Sequence, residues 1–388
     1  MTAPFVAPAK GHQPAAAVKV PSEVTVSNEH DVEGRKDAHI DLCLDEDVGS
    51  PGLATGLGGY TFEYDALPEL DLAEIDLGCL IAGKALRAPI VIGAMTGGTT
   101  RAQELNQRLA RAAARCGVGM ALGSQRAMIS KPKLARTFVV KDVAPDLPLL
   151  FANVGAVQLN YGVTADQIAE AADTVGADVV NFHLNALQEA IQPEGDTNFA
   201  GLYDKLAEAI PALPIPAFAK EVGAGVGARA AKKLAELPFA GIETAGVGGT
   251  SWAKVESFRA PDDSPQAEVG RRLAGFGIPT AHSVRICRRA FGPDRAVVAS
   301  GGMRTGMDIA VAIALGASVG ALARPLLEAA NESEDAAVGV LETLIYELRV
   351  ICFCVGAKNL DELRQAPLVG PNHSFALSAD GGEPTAAP

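Results

Sequence analysis

The residues best suited to chemistry come in short polar groups, each set directly behind an apolar run. The densest is His183-Leu184-Asn185-Ala186-Leu187-Gln188-Glu189, in which polar side chains interrupt the end of a strand-like stretch. A lone histidine there is usually a hydrogen-bonded core group. A histidine, two amides and a carboxylate together are harder to explain by packing, because each buried polar group needs its own partner. Glu189 offers a hard anionic oxygen suited to magnesium, with substrate phosphates filling the rest of the shell. The segment Gln192-Pro193-Glu194-Gly195-Asp196 follows and can cap such a pocket. A second group, Gly123-Ser124-Gln125-Arg126, presents a hydroxyl, an amide and a guanidinium in succession, which suits phosphate oxygens; a solvated loop is the plainer reading. Lys220, inside the end of another run, is costly in an apolar setting unless it faces an anion. An ion pair with Glu221 or another carboxylate would also satisfy it.

Four further run ends are rich in small residues: Ala94-Met95-Thr96-Gly97-Gly98, Gly246 to Trp252, Ser300-Gly301-Gly302-Met303-Arg304, and Ala323-Arg324. Small residues let backbone approach a flat ligand, and backbone N–H groups at such turns can cradle a phosphate. Structural glycine turns are the bland alternative. No Ser–His–Asp order, P-loop, HExxH or cysteine nucleophile pattern occurs. Hydrolase and NTPase chemistry is therefore disfavoured, and a cofactor is expected to carry the reaction.

These groups need a scaffold that gathers run ends at one place. The apolar runs are Pro89–Ala94, Gly119–Leu122, Leu149–Asn153, Asp178–His183, Ala217–Glu221, Gly241–Thr244, Ala296–Ser300 and Val319–Ala323. Ala-rich amphipathic stretches alternate with them, including Arg101–Cys116, Ala165–Val175, Ala200–Ile210, Ala228–Glu236, Pro279–Ala290 and Met307–Leu315. Eight strand–helix units predict an α/β fold, a (β/α)8 TIM barrel whose working residues sit at the C-terminal strand ends. An open doubly wound sheet is the runner-up, since counting units does not prove closure. Residues 1–30 read as an extension without a period, 31–370 as a single barrel domain, and 371–388 as a disordered tail. Residues 334–364 predict one further C-terminal helix.

The chain has 388 residues and a formal charge of −13, with a pI near 5.0. Such a chain is a poor binder of nucleic acid or anionic membrane, so cations that hold a phosphate ester must be clustered locally. The six cysteines are scattered and match no zinc spacing, which suits a reducing cytoplasm. No signal peptide pattern opens the chain, and the most apolar stretch, Ile309 to Leu322, is shorter than the ~20 residues of a membrane helix.

In order along the chain, Arg35-Lys36-Asp37-Ala38-His39-Ile40, Ala66-Leu67-Pro68-Glu69-Leu70, Ala94 to Gly98, Gly123 to Arg126, Ala152-Asn153-Val154-Gly155-Ala156, His183 to Phe199, Lys220 to Gly223, Gly248-Gly249-Thr250-Ser251-Trp252, Ser300 to Arg304 and Gly356-Ala357-Lys358-Asn359 resemble the type 2 isopentenyl-diphosphate isomerases, which are flavoenzymes. The resemblance spans roughly residues 35–370. It implies FMN held by Ala94, Met95, Thr96, Ser124, Asn153, Lys220, Thr250, Gly302, Met303, Arg304, Ala323 and Arg324. It implies a substrate diphosphate held by Arg35, Lys36, Ser124, Gln125, Arg126, His183 and Asn185. Gln188 would lie beside the isoprenoid carbons as a catalytic residue with His183, and Glu189 would bind Mg2+. The flavin would be reduced by NADPH, while the isomerisation itself is redox-neutral. A homo-oligomer, tetramer or octamer, is implied as well. The chain departs from the family pattern at Ile242-Glu243-Thr244-Ala245-Gly246, Val311, Tyr64-Asp65 and Phe276.

Two rival functions remain open at this stage. Another FMN-barrel enzyme, such as a 2-hydroxyacid oxidase or nucleotide dehydrogenase, explains the glycine-rich loops but not the segments at Arg35 and Ser124. A flavin-binding barrel without turnover explains the cofactor site alone.

Overall fold

The computed structural model describes residues 29–371. The expected extension and tail lie outside the described residues, except that 29 and 30 begin a helix, Glu29–Asp45, and 371 closes the last turn. Eight parallel strands form the centre: β1 Ile90–Ile92, β2 Gly119–Ala121, β3 Leu150–Gly155, β4 Val179–Leu184, β5 Ala217–Glu221, β6 Gly241–Glu243, β7 Ala296–Ser300 and β8 Val319–Leu322. β8 pairs with β1 through Gly320↔Ile90, Ala321↔Val91 and Leu322↔Ile92, so the sheet closes and the open doubly wound alternative is excluded. Every apolar run supplies one strand. They read as continuous apolar runs because both faces are covered.

Inward side chains form a separate small core that includes Val91, Phe151, Val179, Phe218, Val298 and Val319. Phe151 and Phe218 meet edge to face with centroids 5.6 Å apart. Outward residues such as Phe182, Ile242 and Val297 pack against the surrounding helices. Side chains alternate along a strand, so the inward position two residues further on belongs to the same interior column. In that next layer the residues turn polar: Asn153 follows Phe151, Lys220 follows Phe218, and Ser300 follows Val298. On these three strands the interior thus changes from an apolar plug to a polar floor within one residue pair.

The segment holding Arg35 and Lys36 is helical. Helix Glu29–Asp45 packs against helices Thr100–Cys116, Trp252–Arg259 and Arg324–Glu332. Thr99 both caps Thr100–Cys116, accepting from Ala102 N, and donates to Asp37 Oδ1 at 2.7 Å, tying that helix to the first βα loop. The expected C-terminal helix is two helices, Glu334–Cys354 and Leu360–Gln365, broken where Gly356 turns left-handed (φ 70°) and Asn359 caps the second piece. Helices Ala186–Ile191 and Trp252–Arg259, absent from the sequence pattern, follow β4 and β6. Among the described residues no helix is long and apolar enough to cross a membrane.

The loops above β6 and β7 pack backbone on backbone. Gly301 has φ 104°, and a Cβ there would lie 2.1 Å from the Gly246 carbonyl oxygen. Gly301→Ala is therefore expected to cost at least about 2 kcal/mol. Gly339, inside helix Glu334–Cys354, has open space around a would-be Cβ, so Gly339→Ala should be neutral or stabilise by about 0.5–1 kcal/mol. Denaturant unfolding of both variants checks this; equal effects would contradict the packing described.

Candidate functional site

Two adjoining clefts open at the C-terminal ends of the strands. The first, about 900 Å³, is lined by Ala94, Met95 and Thr96 after β1, Lys220 on β5, Thr250 after β6, Gly302, Met303 and Arg304 after β7, and Ala323 and Arg324 after β8. The second, about 1810 Å³, is lined by Arg35, Lys36, Ser124, Arg126, Asn153, His183, Asn185, Gln188 and Glu189. Ser124 and Asn153 therefore face the second cleft and not the first. The clefts share a wall made of His39, Ala94, Met95, Lys220, Val222 and Trp252.

Gln125 lines neither cleft. Its side chain is fully buried, donates from Nε2 to Met128 Sδ and Ala171 O, and accepts from Asn153 N at 3.2 Å. The expectation of a ligand contact is corrected here: Gln125 holds Asn153 in place. Its neighbour Ser124 lines the second cleft.

Lys220 is buried and its Nζ donates to Glu243 Oε1 at 2.6 Å and to the Glu221 carbonyl at 3.0 Å. Glu243 accepts a second bond from Ser300 Oγ at 2.8 Å. The plainer sequence reading, an ion pair, is thus present, with Glu243 as the partner. The Glu221 carboxylate instead gathers the N–H groups of Val222, Gly223, Ala224 and Gly225 at 2.6–3.1 Å and fixes the turn beside the shared wall.

In the second cleft, His183 Nδ1 lies 2.9 Å from Asn153 Oδ1. Asn153 Nδ2 donates to the Leu122 carbonyl, which fixes the amide orientation. His183 Nδ1 therefore carries the hydrogen, and Nε2 is the acceptor. Burial, then Lys220, Lys36 and Arg126, hold the His183 pKa down to about 3, so the ring is neutral. Desolvation and the adjacent Arg35 guanidinium bring Lys36 down to about 8. Arg35, Lys36, Arg126, Lys131 and Lys220 thus bring basic side chains to one cavity of a strongly acidic chain.

The sequence reading missed one network. Glu256, buried on helix Trp252–Arg259, accepts from Gln188 Nε2 at 2.8 Å and Arg259 Nη1 at 2.5 Å and meets His39 Nε2 at 3.1 Å. Burial opposes its ionisation, yet these partners hold its pKa near 2. It anchors the amide nitrogen of Gln188, whose Oε1 accepts from Asn185 Nδ2 at 3.2 Å. His39 stands edge-on to Trp252 with centroids 5.1 Å apart. The available signal was a glutamate four residues after Trp252, on the buried face of a short helix.

Above the cleft, Glu194 bridges Arg35 at 3.3 Å and Arg259 at 2.8 Å, and Arg126 meets Asp196 at 2.5 Å. The 192–196 segment is thereby drawn over the cavity as a cap. Glu189, on helix Ala186–Ile191, accepts from Asn185 Nδ2 at 2.8 Å and Asp196 N at 2.7 Å. Burial raises its pKa above the usual carboxylate range. No cluster of three metal-holding His, Cys, Asp or Glu occurs among the described residues. Glu189 is a single carboxylate lining the second cleft, so a magnesium ion held there would need its remaining ligands from phosphate oxygens and water. The first cleft fits a flavin mononucleotide. Thr96 Oγ1 is buried there without a partner, the wall is partly backbone, and the Arg324–Glu332 helix begins at its edge.

Comparison with known proteins adds family relations. The FMN-dependent dehydrogenase family matches residues 226–369. An isopentenyl-diphosphate delta-isomerase of Nostoc sp. is 46% identical over 342 residues, covering 88% of this chain and 97% of that one. The enzyme of that name from Synechococcus sp. is 44% identical, covering 89% and 99%, and that from Mycobacterium marinum is 45% identical, covering 86% and 96%. Among solved structures, a mandelate oxidase variant with an FMN monooxide adduct superposes with a TM-score of 0.61 at 18% identity, covering 85% and 95%. Mandelate oxidase with (S)-2-phenylpropionate gives 0.62 at 17% identity, covering 88% and 98%. These last two are likenesses of fold. Of the four departures in sequence, Tyr64 and Phe276 are exposed and Val311 is a buried helix residue; from the 242–246 segment, Glu243 and Ala245 line the first cleft.

With its pKa near 8, Lys36 is charged below that pH and neutral above it. Binding of inorganic diphosphate should weaken roughly tenfold between pH 7 and pH 9 from loss of this charge alone. Lys36→Arg keeps its charge across the range. Calorimetry should show the variant's affinity falling less than that of the native protein. Parallel pH curves would contradict a role for the Lys36 ammonium.

Proposed function

The chain belongs to the isopentenyl-diphosphate delta-isomerase family, and from that premise we propose that it isomerises isopentenyl diphosphate to dimethylallyl diphosphate with reduced FMN and Mg2+. The observation that carries this reading is the wall shared by the two clefts. A ligand in the first would lie against a ligand in the second, with Lys220 and Met95 lining both. Ala94, Met95, Thr96, Lys220, Thr250, Gly302, Met303, Arg304, Ala323 and Arg324 would hold the cofactor. When bound and reduced, FMN supplies a protonated N5 that can give and take protons at carbon without net redox change.

The chain's own residues bind and orient. Arg35, Lys36, Arg126, Ser124 and Asn185 hold the diphosphate, and His183 Nε2 donates to it only after taking up a proton, which the arriving anion favours. Glu189 with the substrate phosphates holds Mg2+. Gln188, steered by Glu256, faces the isoprenoid carbons; an amide orients but is no ordinary base. The cap from Gln192 to Asp196 excludes water. The cation-lined second cleft favours a diphosphate over the small hydroxyacids of other FMN barrels. We place the enzyme in the cytoplasm, with NADPH as the physiological reductant. Six cysteines without a disulfide support that setting. We also propose a homo-oligomer, supported by the exposed apolar side chains Tyr64, Leu67 and Phe276.

Anaerobic assays test the reaction. Isopentenyl diphosphate, Mg2+ and FMN should give essentially no product in air. With NADPH or dithionite the enzyme should turn over many times per reducing equivalent, and stoichiometric NADPH oxidation would overturn the isomerase mechanism. Glu189→Gln should raise the half-saturating magnesium concentration at least about tenfold while sparing flavin binding. Full activity of that variant at low magnesium would remove Glu189 as the ligand.

A further inference from the structure

The polar floor of the barrel contains one charged pair that the proposed chemistry leaves unexplained. Lys220 and Glu243 are register partners on β5 and β6. They are 6% and 5% exposed, and Nζ to Oε1 is 2.6 Å. Ser300, on β7, donates its hydroxyl to the same Glu243 oxygen and accepts from Ala245 N at 3.1 Å. Three adjacent strands therefore clamp one carboxylate, and all three side chains line the first cleft. An ammonium has three N–H donors. One goes to Glu243 and one to the Glu221 carbonyl, which leaves one for a ligand in either cleft.

The pair is neutral as a whole. A lone ammonium in a buried floor would attract negative charge on whatever lies above it, and Glu243 offsets that attraction. FMN is the relevant case, because its reduced isoalloxazine exists as a neutral form and as an anion lacking the N1 proton.

We propose that Glu243 is a positioning residue that holds and neutralises Lys220 beneath the cofactor, and so sets the balance between neutral and anionic reduced FMN. The inference rests on the FMN reading above. Reduction to the anion places a negative charge near the pair. With the carboxylate present, the Lys220 charge is already matched, and the anion gains little. Without it, the anion becomes the counterion of Lys220. If Lys220 is itself absent, the cation that Glu243 holds is gone, and with it the contact through which Glu243 acts on the flavin.

The test is the midpoint potential and the N1 acidity of the FMN-loaded full-length protein, read by dithionite titration against a reference dye across pH 6–9. Glu243→Gln should raise the N1 acid constant roughly tenfold and raise the potential by roughly 30 mV, the two-electron equivalent of a factor of ten. Glu243→Asp, which keeps the charge, should restore near-native values. The doubly substituted Lys220→Met, Glu243→Gln protein leaves no unpaired charge and should fold even where Glu243→Gln alone does not. Its potential should equal that of Lys220→Met. A native potential in Glu243→Gln, an equally large shift in Glu243→Asp, or a difference between the double variant and Lys220→Met would each overturn the inference. Native protein that takes up no FMN would overturn the functional reading as well.

Discussion

The Lys220 ammonium lies 2.6 Å from the Glu243 carboxylate, one layer above Phe218 and the rest of the apolar plug. Removing either charge from water costs several kcal/mol, recovered only when geometry is good and the remaining lone pairs and protons find partners. That requirement shapes the surroundings. Ser300 is held to serve Glu243, the Glu221 carbonyl takes a second Lys220 proton, and the Glu221 carboxylate ties the following turn to four N–H groups. The loops around the first cleft are thus fixed by the partners that one buried cation demands. Lys220 lines both clefts, so its third N–H is the one left for a ligand there.

A second set of contacts closes the other side. Glu256 receives His39, Gln188 and Arg259, while Glu194 receives Arg35 and Arg259. Helix Glu29–Asp45, the 192–196 segment and helix Trp252–Arg259 are joined through these two carboxylates. Each carboxylate pairs with a cation that would otherwise repel its neighbours around the cavity. This arrangement lets a chain of net charge −13 concentrate positive charge where an anion is to be bound.

The barrel was legible because strands covered on both faces leave unbroken apolar runs, and each of those runs supplied one strand. Closure was not legible, since it depends on the Gly320↔Ile90 register, a pairing far apart in sequence. The polar groups at the strand ends were legible as groups but not always as individuals. Gln125 follows Ser124 directly, yet one turns into the protein and the other into the cleft. Lys220 has Glu221 as its neighbour in sequence, but adjacent strand residues point to opposite faces, and the partner is Glu243 across the sheet. Glu256 and His39 were missed because they meet across 217 positions. The C-terminal helix was overextended because its apolar pattern continues through Gly356, where only the left-handed backbone marks the break.

The most direct test of the central claim, that one buried lysine couples the two clefts, is the visible spectrum of FMN-loaded protein titrated with inorganic diphosphate. A diphosphate drawn to Lys220 changes the charge beside the flavin, so the flavin bands should shift saturably, with a midpoint equal to the calorimetric dissociation constant. Diphosphate that binds by calorimetry while leaving the flavin spectrum unchanged would contradict the shared wall and the account built on it.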